Sequence, residues 1–61
     1  MTKKIYYIEA TVSLVSAIEY IENLVPCFIE LQPVEMDYME VTIICRDADV
    51  AAVEKAIAPL V

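Results

Sequence analysis

The sequence contains no glycine and no histidine, and its basic residues number four. Each shortage removes a class of function. Without histidine the chain lacks the commonest general base and the commonest metal ligand. Without glycine, a phosphate-cradling loop of the Walker or Rossmann kind cannot be written. Average usage of about 7% would place around four glycines in a chain of this length. Turns therefore also lack the residue that enters φ > 0 freely. Four Lys and Arg against ten Asp and Glu give a net charge of −6. Nucleic-acid phosphates and anionic headgroups find no basic patch, so direct binding to either is not expected. The serines, Ser13 and Ser16, have no histidine to activate them, and two cysteines fall short of the four ligands that zinc wants. The chain is read as no enzyme, with no catalytic residue, no cofactor and no metal site.

What is present is apolar. Hydrophobic residues make up 61% of the chain, too many for a disordered segment. Its 61 residues fit a single small domain, 1–61. The longest uncharged run, 10–18, is far shorter than the ~20 residues a membrane-spanning helix needs. Met1 to Ile8 imitates a secretion signal, with Lys3 and Lys4 leading an apolar run that Glu9 interrupts. A cytoplasmic chain with reduced Cys27 and Cys45 is expected.

Side-chain periodicity predicts strand, helix, strand, strand, helix. Lys3 to Val12 is rich in Ile, Tyr, Val and Thr, with Tyr6, Ile8, Ala10 and Val12 as its inward set. Thr11 or Ser13 can cap a helix whose stripe is Leu14, Ala17, Ile18, Ile21 and Leu24. Ser16 to Glu19 fits a capping box one turn later, and Pro26 closes the segment. Cys27–Val34 and Tyr38–Arg46 alternate again and are joined by the short Glu35–Asp37 link, which makes them a hairpin. Pro33 cannot donate to a ladder, so Cys27–Val34 belongs at a sheet edge. With the odd-numbered residues of both strands inward, a three-residue loop pairs Val34 with Tyr38 and sets Cys27 opposite Cys45, within disulfide reach. Asp47 or Asp49 can cap the second helix, whose stripe is Val50, Val53, Ile57 and Leu60.

This βαββα order resembles a ferredoxin-like fold (βαββαβ) without its last strand. It implies an α+β sandwich in which two helices cover one face of a three-stranded sheet. The stretch from Glu40 through Arg46-Asp47-Ala48-Asp49 to Ile57 is similar to the second half of an ACT-type regulatory domain. That resemblance implies a small-ligand regulatory subunit. The chain departs from it in having no Gly after the first strand, where such domains often meet an amino acid, and no closing strand.

The missing strand leaves the segment from Ile5 to Thr11 as a free edge, uncharged over Ile5-Tyr6-Tyr7-Ile8 and open to a second chain. The outward face adds Ile5, Tyr7, Phe28, Val34, Tyr38 and Ile44 among Glu9, Glu30, Gln32, Glu40 and Thr42. Aromatic side chains of this kind favour interface centres. A domain of about 60 residues buries just ~60% of its unfolded surface, so association would supply missing stability. The expected function is a non-catalytic interaction or assembly module, a homodimer or larger homo-oligomer, or a binder of a protein partner. A second expectation is an acidic inhibitor, in which Glu35, Asp37 and Glu40 mask a basic nucleic-acid-binding site. In size and charge the chain is similar to phage-encoded inhibitors of host defence. Glu19 and Glu22 share a helix face and are read as solvated acids, because paired carboxylates do catalytic work inside a cleft.

Overall fold

The computed structural model describes residues 1–61. In chain order β1 (Thr2–Glu9), α1 (Val12–Leu24), β2 (Cys27–Glu35), β3 (Tyr38–Cys45) and α2 (Val50–Ile57) follow one another. Single 3-10 turns, Asp47–Asp49 and Ala58–Leu60, flank α2. The sheet is antiparallel with order β1-β3-β2, so β3 is central and the two other strands are edges. This is the α+β arrangement expected, compatible with a ferredoxin-like sandwich lacking its closing strand. No helix is long and apolar enough to cross a membrane.

The inward parity of each strand follows the sequence pattern. Ile8 of β1 and Val41, Ile43 and Cys45 of β3 meet Leu14, Ile18 and Ile21 from α1, Val25 just after it, and Val53 and Ile57 from α2. These ten residues are the whole buried set, and all are apolar. Val50 and Leu60 pack against them from the ends of α2. Leu60 therefore lies on the helix side, and the C-terminal turn leaves the opposite sheet face open.

Local capping corrects several boundaries. β1 stops at Glu9, not at Val12, because Thr11 is extended (φ −125°, ψ 169°) and its hydroxyl accepts the Leu14 N–H at 3.3 Å. Val12 is thus the first helical residue and stands 82% exposed. Ala10 is exposed as well, so neither joins the inward set. Ser16 lies inside α1 and starts nothing. Leu24 is exposed, and the buried place at that end belongs to Val25, whose N–H closes the helix on the Ile21 carbonyl. Neither aspartate caps α2 with its side chain. Asp47 instead accepts from the Thr2 hydroxyl at 2.6 Å, and Asp49 accepts from Arg46 Nε at 2.7 Å.

The hairpin register runs as expected from Cys27–Cys45 to Pro33–Met39 and then shifts. Tyr38 faces Glu35, not Val34, which becomes the extra residue of a bulge. The loop shrinks to Met36-Asp37 as a result. Two-residue hairpin turns normally use φ > 0, and no residue of this chain adopts it. A turn built at negative φ mismatches the strand twist, and the bulge takes up the difference.

Tyr6 sits on the helix side of β1 with its hydroxyl buried and unpartnered. Burial pushes this phenol above its ordinary pKa, and the charges of Glu54 and Cys45 add to the effect. An unsatisfied buried hydroxyl costs ~1–3 kcal/mol, whereas an apolar group of the same shape costs little. Tyr6→Phe should therefore leave thermal stability unchanged or raise it by up to ~1 kcal/mol. A loss of more than that in a thermal melt would reveal a partner for the hydroxyl.

Candidate functional site

Four cross-strand rows line the open face: Lys3–Ile44–Phe28, Ile5–Thr42–Glu30, Tyr7–Glu40–Gln32 and Glu9–Tyr38–Glu35. Side chains two residues apart along a strand share a face, so diagonal neighbours in adjacent rows touch when they are long. Ile5, Phe28 and the half-buried Ile44 thereby gather at one end, and Tyr7 extends this patch along β1. Tyr7 and Phe28 are 62% and 58% exposed, high for aromatic rings on a small sheet. The Tyr7 hydroxyl donates to Glu40 Oε2 at 3.2 Å, spanning the β1–β3 seam. That hydrogen bond, with the carboxylate's charge, holds the Tyr7 phenol above its ordinary pKa.

Two of the six expected contact residues fall outside the patch. Tyr38 is exposed but flanked by Glu9 and Glu35 in its row. Val34 is exposed in the bulge, outside the ladder that was to place it beside Tyr38.

The acidic residues divide in a similar way. Glu35 and Asp37 lie at the hairpin tip, where the Asp37 carbonyl accepts the Ala10 N–H at 2.7 Å and draws the end of β1 close. Glu9 joins them there, a member the sequence reading did not include. Glu40 is one row further in on the same face, half-buried and bound to Tyr7. The cations sit toward the other end. Lys3 and Lys4 open β1, and Arg46 follows β3. Lys4 reaches Glu54 at 3.7 Å and Arg46 pairs with Asp49.

The two sheet edges are built differently. β2 carries Pro33, a bulge, and the exposed Glu30 and Glu35. These are the devices by which proteins block edge pairing. β1 carries Lys3, Lys4 and Glu9 toward its ends, but it has neither proline nor bulge, and it pairs with β3 without a register shift from Thr2 to Glu9.

A groove of about 620 Å³ lies on the helix side, lined by Val12, Leu14, Val15 and Ile18 of α1, by Leu31 and Met39 of the hairpin, and also by Glu19 and Glu22, the exposed pair of acids on α1. The sequence reading missed it. Its signals were Leu31 and Met39 continuing the inward set, and Val12 and Val15 beside the buried stripe of α1.

Cys27 and Cys45 face each other as free thiols, Cys45 fully buried and Cys27 partly so. Burial pushes the Cys27 thiol up, reinforced by Cys45, Glu22 and Asp49. The thiol form thus dominates at neutral pH, which makes Cys27 a poor nucleophile. No three His, Cys, Asp or Glu side chains converge as a metal-binding group. In a timed alkylation read by mass spectrometry, Cys27 should react more slowly at pH 7 than free cysteine and accelerate toward alkaline pH. Cys45 should stay unmodified until the chain unfolds. Rapid labelling of Cys27 at pH 7 would show instead that its thiolate is stabilised. No protein-family model matches the chain, and no curated protein or solved structure is significantly similar to it.

Proposed function

We propose that this chain is a non-catalytic assembly module, forming a homo-oligomer through the β1 edge and the adjoining Ile5/Tyr7/Phe28/Ile44 patch. The observation that carries the reading is the contrast between the two edges. The β2 edge carries a proline and a bulge, whereas the β1 edge has charges at its ends and neither of those, and the apolar patch runs from Ile5 and Tyr7 on β1 across Ile44 to Phe28 on β2. Ten buried residues make a small core for 61, so surface removed from water by association adds directly to stability. A reducing, cytoplasmic setting suits two opposed thiols that stay unbonded. The test is molar mass by light scattering after gel filtration, over a hundredfold range of concentration. The wild type should form a dimer or larger assembly, and Tyr7→Asp or Ile44→Asp should raise its dissociation constant about tenfold or more. Wild-type mass and stability in both variants would remove this surface from consideration.

A second reading has its own observation, the gathering of Glu9, Glu35 and Asp37 at the hairpin tip. Such a tip suits a protein inhibitor that covers a basic nucleic-acid-binding surface. It predicts salt-sensitive binding to a basic nucleic-acid-binding protein, lost when Glu9, Glu35 and Asp37 are changed to Lys together with Glu40. Binding that survives this reversal would eliminate the inhibitor reading.

A further inference from the structure

The assembly reading leaves open which strand meets which and in what register, and the backbone and charges of β1 answer both. In an antiparallel ladder, consecutive residues turn their N–H and C=O alternately toward one neighbour and the other. Ala10 continues the β1–β3 ladder by donating to the Asp37 carbonyl. The even-numbered residues of β1 therefore bond to β3. Lys3, Ile5, Tyr7 and Glu9 turn their N–H and C=O toward the open edge.

We propose that β1 pairs antiparallel with β1 of a second copy, about a two-fold axis at Tyr6. This deepens the assembly reading and rests on it. Two three-stranded sheets then become one continuous sheet with all helices on the same side. That arrangement requires facing residues of equal parity, and near-full overlap of the Thr2–Glu9 strand is then reached by centring on Ile5 or on Tyr6, whereas centring on Lys4 or Tyr7 leaves about a third of the strand unpaired. Centring on Ile5 sets Lys3 against the partner's Tyr7. Centring on Tyr7 sets Ile5 against the partner's Glu9. Centring on Tyr6 sets Lys3 against the partner's Glu9 and Ile5 against the partner's Tyr7, each twice by symmetry. Opposite charges and aromatic–β-branched pairs are the favourable cross-strand combinations. All four pairs join residues whose backbone groups point to the open edge. Lys3 and Glu9 are exposed, and neither belongs to an ion pair of its own chain. On the helix side Tyr6 meets the partner's Tyr6.

The experiment exchanges these charges. Lys3→Glu leaves acids facing acids across the axis, and Glu9→Lys leaves lysines facing lysines. Each variant alone should dissociate about tenfold more readily than wild type, since two pairs per dimer turn from attraction to repulsion. An equimolar mixture of the two variants restores both attractive pairs in a heterodimer, and its molar mass should return to that of the wild-type dimer. The double variant K3E/E9K should dimerise like wild type. Circular dichroism on each variant separates loss of pairing from loss of fold. A mixture that stays at the monomer mass of its components overturns the register. A wild-type dimer that ignores both substitutions but is dissociated by Ile44→Asp overturns edge pairing and keeps the sheet face as the contact. A wild type that is monomeric over the whole concentration range overturns this pairing together with the homo-oligomeric reading.

Discussion

β3 is the one strand with a neighbour on each side, and the fold depends on its two ladders. Its inward side chains Val41, Ile43 and Cys45 are wholly inaccessible because strands flank them and helices cover them. Every other element is held by packing onto this strip. β1 and β2 each keep one side unpaired, and α1 and α2 bury one stripe apiece. A sheet of this size needs a covered face to be stable at all. The helices provide that on one side and leave the other to solvent or to a partner.

The difference between the edges follows from the same economy. β2 leads into a tight turn made without a residue at φ > 0, and the bulge this requires also spoils the outer side of β2 for pairing. Pro33 removes one donor more. β1 enters no such turn. It hands the chain to α1 through Thr11, whose hydroxyl satisfies a helix donor, so nothing distorts its register from Thr2 to Glu9. An absence of glycine at one end of the sheet thus has the effect of concentrating accessible backbone at the other.

Much of this was legible in the residues. Alternation fixed the inward parity of all three strands, and Pro33 marked an edge. The even spacing of the two inward sets placed Cys27 opposite Cys45. The failures were local competitions that periodicity does not weigh. Val12 continues the alternation of β1, but the Thr11 side chain captures the Leu14 N–H and converts it to helix. Asp47 and Asp49 are good caps by type, yet the Thr2 hydroxyl and the Arg46 guanidinium claim their carboxylates first. Thr2 lies 45 residues away in sequence, so no local pattern could announce that claim. Val34 was misplaced because loop length was counted without the twist a turn imposes. The candidate face was legible for Ile5, Tyr7, Phe28 and Ile44, whose parity was secure, and not for Val34, which lies where parity breaks.

In the proposed assembly, the arrangement of edges also limits how far pairing proceeds. A chain with two open edges would add copies without limit, the route by which exposed strands lead to fibres. Here one edge is regular and the other is interrupted, so pairing β1 with β1 consumes the unguarded edge of both copies at once. The outermost strands of the pair are then two copies of β2, each carrying proline, bulge and acids. An isologous contact of this kind closes on itself. Pairing β1 of one copy with β2 of the next would instead run head to tail, set Pro33 where a donor is needed, and lose one hydrogen bond at every junction. Charge acts in the same direction. With basic residues at the start of β1 and Glu9 at its end, two copies of the strand attract when antiparallel, whereas parallel copies would set like charges side by side. In this proposal the guarded edge limits the size of the assembly, and the polarity of the open one sets its symmetry.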